Sequence, residues 1–111
     1  MKVYLDDIRA IPARFEGVRS YYDCIRLLEA NKGNVEVISL DHDLGELKSG
    51  YDVCKWIVEN EYYEGLKQVI LHSANPIGVK NMIQLLDRYL PDDVEILYLN
   101  LDKKYEKVYR G

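Results

Sequence analysis

The sequence is poor in three features, and each shortage excludes a class of protein. It contains only 2 cysteines, Cys24 and Cys54, which are too few and too far apart for a disulfide-rich scaffold or a zinc pair. Both lie in helix-like apolar patterns, so we expect buried free thiols. The net charge is −4, which excludes a sequence-wide basic field and therefore general DNA binding.

Long apolar runs are also missing. No run approaches the length of a membrane-spanning helix, so we expect no membrane association. Asp6 and Asp7 interrupt the amino-terminal region where a secretory signal would need an apolar core. We therefore expect a cytoplasmic protein.

What is present indicates one small globular domain. The chain has 111 residues, of which 48% are apolar and 31% are charged, as is typical of ordinary folded proteins. A chain of this size builds one core, so residues 1–111 are predicted to form a single domain.

Apolar runs and turn residues divide the chain into alternating strands and helices. Strands are predicted at residues 2–5, 17–19, 35–40, 68–71 and 94–99. Helices are predicted to begin after Ser20 and to cover residues 51–60 and 77–89. The charged run at 103–107 is interpreted as solvent-exposed surface. This alternation predicts βαβ units, right-handed crossovers and an α/β fold with a mainly parallel sheet.

Acidic residues follow two of the predicted strands. Asp6 and Asp7 follow the first strand, and Asp41 follows the strand at 35–40. If those strands are neighbours, their spacing of about 4.8 Å brings Asp6 or Asp7 within roughly 5 Å of Asp41. Two carboxylates at that distance repel by about 3 kcal/mol. We therefore predict that Asp6, Asp7 and Asp41 bind Mg²⁺ or Mn²⁺, and that Asp6→Asn stabilises the metal-free protein. The alternative is that one aspartate caps a helix or bonds loop amides.

Three residues are candidates for catalysis. Asp41 is a candidate nucleophile as well as a metal ligand. His42 lies between two acids and is a candidate proton donor to a departing ribose oxygen, although a turn residue that bonds backbone is an equal interpretation. His72 is the second candidate acid. Strand alternation predicts that His72 and Ser73 point toward opposite faces of the sheet.

Further residues are candidates for binding phosphate or substrate. Ser73 and the amide that follows it could hold a phosphoryl oxygen. Asn75 is a further candidate, and with Pro76 it also shapes the turn. Arg9 suits two-pronged binding of phosphate, and an ion pair with Asp43 is the alternative.

Four motifs together resemble one protein family. They are Leu5-Asp6-Asp7-x-Arg9, Ser39-Leu40-Asp41-His42-Asp43-Leu44, Gly50-Tyr51-Asp52-Val53, and His72-Ser73-Ala74-Asn75-Pro76-x-Gly78 with Asn81-Met82. They resemble the cyclic-phosphate processing receiver-like family, a divergent branch of the response-regulator receivers. The resemblance implies a flavodoxin-type sheet of about five strands in the order 2-1-3-4-5. It also implies a role in handling cyclic phosphates, such as those at RNA ends.

The sequence departs from ordinary receivers at three places. The segment 9–16 is too short for the usual first helix, and the segment after Leu99 is too short for a full fifth helix. Receivers also carry a lysine at the end of strand five, where the nearest candidates are Asn100 and Lys103. We therefore expect reduced first and last helices.

Three functions are open on this basis. The first is metal-dependent hydrolysis of a cyclic phosphate, with a phosphate-bearing small molecule or an RNA end as the partner. The second is a signalling receiver phosphorylated on Asp41. The third is a catalytically inactive module that binds a protein partner.

Overall fold

The three-dimensional structure is a computed structural model that describes residues 1–110. It contains six strands and three helices. The strands are β1 (Lys2–Leu5), β2 (Glu16–Val18), β3 (Val37–Leu40), β4 (Gln68–Leu71), β5 (Glu95–Leu99) and β6 (Tyr105–Lys107). The helices are α1 (Tyr21–Ala30), α2 (Gly50–Glu59) and α3 (Pro76–Tyr89).

The strands form one sheet in the order β2-β1-β3-β4-β5-β6. The first five are parallel, so the predicted α/β receiver-like order 2-1-3-4-5 is confirmed. The sixth strand, β6, pairs antiparallel with β5 and was not predicted. Its three residues are all exposed and have no apolar pattern, so pairing with the sheet edge rather than intrinsic preference makes it a strand.

All three helices lie on one face of the sheet. Each helix connects a strand to a parallel strand further along the sheet in the same direction, and right-handed crossovers then place every helix on the same side. Consistent with this, α2 packs against both α1 and α3. Alternate strand residues such as Val3, Ile38, Val69 and Ile96 are in register and form the core with these helices.

The predicted loss of two receiver helices is confirmed. A loop without a helix joins β1 to β2, and no helix follows β5 in the described residues. In place of the first helix, Phe15 of the loop packs edge-on against Tyr4, with ring centroids 5.7 Å apart. This loop therefore covers part of the sheet face that carries no helix.

Local polar contacts explain where the helices begin. Ser20 caps α1, where its side chain accepts a hydrogen bond from the Asp23 amide, as predicted. Ser49 caps α2, and its amide donates to the Asp52 carboxylate at 2.8 Å.

Cys24 and Cys54 are free and buried, as the apolar patterns around them predict. Among residues 1–110, no helix has the length and apolar character needed to cross a bilayer.

Candidate functional site

Three carboxylates meet at the carboxyl ends of β1 and β3. The register pairs Leu5 with Leu40, and the Asp41 amide donates to the Leu5 carbonyl at 2.9 Å, so both chains leave the sheet together. One oxygen each from Asp6, Asp7 and Asp41 lies within 4.8 Å of the other two. The structure thus brings together the residues that the sequence predicts as metal ligands. These acidic residues could hold a metal ion.

Asp6 is surrounded by hydrogen-bond donors. Its Oδ1 accepts from the amides of Ile8 at 3.0 Å and Arg9 at 2.9 Å. Its Oδ2 accepts from Arg9 Nη1 at 3.3 Å and lies 3.1 Å from His72 Nε2. Burial alone would raise the pKa of Asp6, but the two amides and His72 outweigh burial and lower the pKa. Because a carboxylate has about four acceptor positions, this arrangement leaves Asp6 nearly saturated.

His72 contacts Asp6 through Nε2 and is itself buried. It follows β4, and its ring stacks on Tyr4 with centroids 4.2 Å apart. Burial lowers the pKa of His72 to about 4, so the imidazole is neutral at pH 7. Since an ionised Asp6 can only accept, Nε2 carries the imidazole proton, and Nδ1 accepts from the Ser39 hydroxyl at 2.7 Å. The result is a buried Ser39–His72–Asp6 chain that orients one carboxylate of the site.

Asp41 has a different environment, although it is also buried. Burial first, and then the charge on Asp6, raises the pKa of Asp41. The Ser73 hydroxyl and the His42 amide, which donates to Asp41 Oδ1 at 2.8 Å, act in the opposite direction without reversing the shift. The negative charge of Asp41 is therefore incompletely compensated by the protein.

Gly50 allows α2 to start directly against Asp41. Its amide donates to the His42 carbonyl at 2.8 Å. A Cβ at residue 50 would lie 1.9 Å from the Asp41 carbonyl oxygen, a distance that no side chain can tolerate. Glycine is therefore required at this position by the close approach of two backbone segments.

The His42 side chain turns toward α3. Its Nδ1 lies 2.9 Å from Asp43 Oδ1, and its ring packs on Gly78, where a Cβ would come within 2.5 Å of it. The ring lines a cleft between the beginning of α2 and α3. The described contacts of the ring are thus with Asp43 and α3 rather than with the three carboxylates.

Arg9 forms an ion pair with Asp6. Besides its contact with Asp6, Nη1 donates to the His72 carbonyl at 2.6 Å, and the side chain is 39% exposed. The alternative expectation of an Arg9–Asp43 pair is wrong, because Asp43 instead contacts His42 and accepts from Asn75 Nδ2 at 3.2 Å. The Arg9 guanidinium remains beside the site and partly open to solvent.

Ser73 and Asn75 build the turn that leads into α3. Ser73 Oγ accepts from the Asn75 amide at 3.0 Å. Asn75 caps the helix, where its Oδ1 accepts from the Gly78 amide at 3.0 Å. The side chain of Asn75 is thereby used for turn structure, whereas Ser73 stands next to Asp41.

Two residues that contribute to the site were missed in the sequence. Ser39 bonds His72, and its signal is a polar residue inside an otherwise apolar strand. Arg19 holds the loop after β1, where its Nη1 donates to the carbonyls of Asp6 at 3.2 Å and Arg9 at 2.6 Å. No spacing rule connects Arg19 to that loop.

The comparison with protein families agrees with this site. The family model described as cyclic-phosphate processing receiver domain matches residues 1–88, and that span contains all three carboxylates. No match was found among curated proteins or solved structures. Because the match covers most of the chain, and because the sheet and the convergent acids have the receiver arrangement, this chain belongs to the cyclic-phosphate processing receiver domain family.

Proposed function

We propose that this receiver-like domain is a metal-dependent hydrolase that opens cyclic phosphates. One observation carries the proposal: Asp6, Asp7 and Asp41 place carboxylate oxygens within 4.8 Å of one another. The raised pKa of Asp41 supports it, because the shift reflects a negative charge that the protein alone does not balance.

The donor set fits a hard divalent cation, since all three candidate ligands offer oxygen. We propose Mg²⁺, with Mn²⁺ as the alternative. When bound, such an ion supplies charge neutralisation and Lewis-acid activation at a phosphoryl oxygen. Asp7 and Asp41 are the principal ligands in this proposal, because the acceptor positions of Asp6 are nearly all occupied.

The residues around the carboxylates suit hydrolysis of a cyclic phosphodiester. An attacking water forms a new phosphorus–oxygen bond and gives its proton to Asp41, while the bond to one ribose oxygen breaks. The departing oxygen takes its proton from solvent in this proposal, because the His42 ring contacts Asp43 and Gly78 rather than the three carboxylates. Arg9 and Ser73 are the proposed contacts for the phosphoryl oxygens. His72 acts as a positioning residue, because it contacts Asp6 and is buried.

The proposed substrate is a cyclic phosphate on a small molecule or at an RNA end. This choice rests on the family to which the chain belongs. We also propose residence in the cytoplasm, because the two cysteines are unpaired and a reducing compartment maintains free thiols.

The proposal is tested by a turnover screen with Mg²⁺ and Mn²⁺. The substrates are nucleoside 2′,3′-cyclic phosphates and RNA oligonucleotides with the same end. We expect turnover in the wild type and a loss of roughly 100-fold or more in Asp41→Asn, as for removal of an acid–base group. Asp93→Asn is the matched control, because Asp93 is exposed and lies in the turn before β5. Equal rates in wild type and Asp41→Asn, or no turnover in either, would refute the proposal.

Metal binding is tested separately by thermal unfolding. At a metal concentration of 100 times Kd, binding to the folded state stabilises it by about 2.7 kcal/mol. We expect Mg²⁺ or Mn²⁺ to raise the Tm of the wild type and of Asp93→Asn but not that of Asp41→Asn. An unchanged Tm across all three proteins would rule out the metal centre and favour an inactive interaction module.

The receiver alternative has its own signature. A small phosphodonor with Mg²⁺ would add one phosphoryl group to Asp41, which intact mass spectrometry detects. We expect no such lasting adduct. A stable adduct that disappears in Asp41→Asn would assign a signalling function instead.

A further inference from the structure

An open groove of ≈ 790 Å³ lies beside the carboxylates, between α3 and the end of β5. Arg9 and Ser73 line this groove and also adjoin the carboxylate site. We propose that the groove binds the nucleoside part of the substrate, so that the substrates are nucleoside cyclic phosphates rather than cyclic phosphates in general. The inference rests on the proposed function and specifies its substrate class.

The walls of the groove suit a flat heterocyclic ring. Val79 and Ile83 of α3 form one wall, and Tyr98 and Leu99 of β5 form the other. The Tyr98 hydroxyl donates to Glu106 of β6, which fixes the orientation of the aromatic ring. Stacking on an aromatic side chain is available to every nucleobase, since each has a π-face. The walls therefore provide a contact that phosphate alone does not need.

The rim of the groove is cationic in a chain whose net charge is −4. Arg9, Lys80 and Lys103 line it. Across residues 1–110, none of the ion pairs involves Lys80 or Lys103. These two lysines, which have no carboxylate partner in the part of the chain that the structure describes, lie next to Arg9 and give the groove charge complementarity to an anionic ligand.

The position of Lys103 is built into the hairpin between β5 and β6. The Lys103 amide donates to the Asn100 carbonyl at 2.9 Å, and Asn100 Oδ1 accepts from the Lys104 amide at 3.0 Å. Lys103 itself has a φ of 59°, so the turn holds its backbone in the left-handed region. The hairpin thus provides both the aromatic wall and a cation.

Size and continuity favour a nucleoside over a macromolecular partner. The volume of ≈ 790 Å³ lies within the range of small-molecule sites, about 300 to 1,000 Å³. The groove also leads to Ser73, which neighbours Asp41. A ligand whose phosphate contacts Arg9 and Ser73 would place its organic part between α3 and β5.

The test compares two cyclic phosphates by calorimetry in EDTA, where metal-dependent turnover cannot occur. The probes are adenosine 2′,3′-cyclic phosphate and glycerol 1,2-cyclic phosphate, whose Kd ratio isolates the contribution of the nucleoside. We expect the adenosine compound to bind roughly tenfold more tightly, as one stacked base would provide. Ile83→Glu and Tyr98→Leu should each reduce that ratio to near one.

Each variant has a matched control. Ile77→Glu changes an isoleucine of the same helix that is 75% exposed, and Tyr109→Leu removes a tyrosine that is 90% exposed. Both controls should keep the wild-type ratio. A wild-type ratio near one, or a ratio that survives in both Ile83→Glu and Tyr98→Leu, would overturn the inference.

The outcome is separable from that of the proposed function. Hydrolysis of glycerol cyclic phosphate with a Kd ratio of one would leave the hydrolase standing and remove the nucleoside groove. A high Kd ratio without turnover would support the nucleoside groove and refute the hydrolase. A short RNA with a 2′,3′-cyclic phosphate end distinguishes the source of the nucleoside, because tighter binding than the mononucleotide identifies RNA ends and equal binding identifies free nucleotides.

Discussion

The carboxyl ends of β1 and β3 each carry a buried aspartate, but the surroundings shift the pKa of the two carboxyl groups in opposite directions. Asp6 after β1 is surrounded by two amides, an arginine and a histidine, and its pKa is lowered. Asp41 after β3 is buried next to the charge of Asp6, and its pKa is raised. The protein therefore satisfies one carboxylate with its own donors, whereas the charge of the other is incompletely compensated. Two aspartates that look equivalent in the sequence thus differ in their neighbours, and this difference is why we propose a supporting role for Asp6 and a catalytic role for Asp41.

The largest expected effect is a loss of folding stability at low pH, when His72, the buried partner of Asp6, becomes protonated. The pKa of His72 is lowered by burial from 6.5 to about 4, so the folded state binds fewer protons than the unfolded state between those values. The contribution of neutral His72 to the free energy of unfolding is therefore complete above pH 6.5 and is lost as the pH falls toward 4. Over that window we expect metal-free protein to lose about 3 kcal/mol of unfolding free energy, less any recovery from protonation of Asp41.

Denaturant unfolding across this pH window measures the effect. His72→Gln keeps a donor for Asp6 without a titrating ring, so its stability should change much less with pH. His42→Gln replaces the other histidine and should retain the wild-type loss. If His72→Gln loses as much stability as the wild type, His72 is not the group responsible.

The second prediction compares Asp6→Asn with Asp41→Asn in metal-free protein. Asp6→Asn should destabilise by about 1 to 3 kcal/mol, because it removes charged hydrogen bonds and turns an amide group toward existing donors. Asp41→Asn should stabilise by a smaller amount, because it removes a charge that burial and Asp6 both disfavour. The midpoint of denaturant unfolding gives both values. Opposite signs are the essential result, and equal signs would contradict the proposed division between the two strand ends.

The smallest expected effect concerns Arg9 as an internal counterion. Arg9→Met keeps the apolar stem but removes the charge that pairs with Asp6. We expect Mg²⁺ or Mn²⁺ to bind roughly twofold to fivefold more tightly, the scale of a partly exposed ion pair. Calorimetric titration measures this Kd. Arg26→Met is the matched control, because it removes the same charge from an exposed pair with Asp23. An equal gain in both variants would indicate net charge rather than competition at Asp6.

The convergence of the acids could be predicted from the sequence. The apolar runs before Asp6 and Asp41 mark strand ends, and the parallel order brings neighbouring ends together. The partners of Asp6 could not be predicted, and with them in view we expect Asp6→Asn to destabilise the protein rather than to stabilise it. The repulsion argument considered only the carboxylates, whereas Arg9 and His72 compensate Asp6.

The partners of Asp6 depend on information that the sequence does not carry locally. His72 is far from Asp6 in the chain, and the two meet because β3 separates β1 from β4 by one strand. The ladder continues past β4, since the His72 amide donates to the Leu40 carbonyl at 3.0 Å. Alternation then directs His72 to the sheet face without helices, beside Tyr4. Such a contact requires strand order and register together.

The absence of a side chain at residue 78 brings α3 into direct contact with the His42 ring. The His42 ring occupies the space that a Cβ there would need, so the first turn of α3 cannot approach β3 without displacing His42. The same helix provides Val79 and Ile83 to the groove. A ligand that shifts α3 would therefore also move His42, which adjoins Asp41. Under the proposed function, the contact between Gly78 and His42 would link nucleoside binding at the groove to the position of the residue next to Asp41.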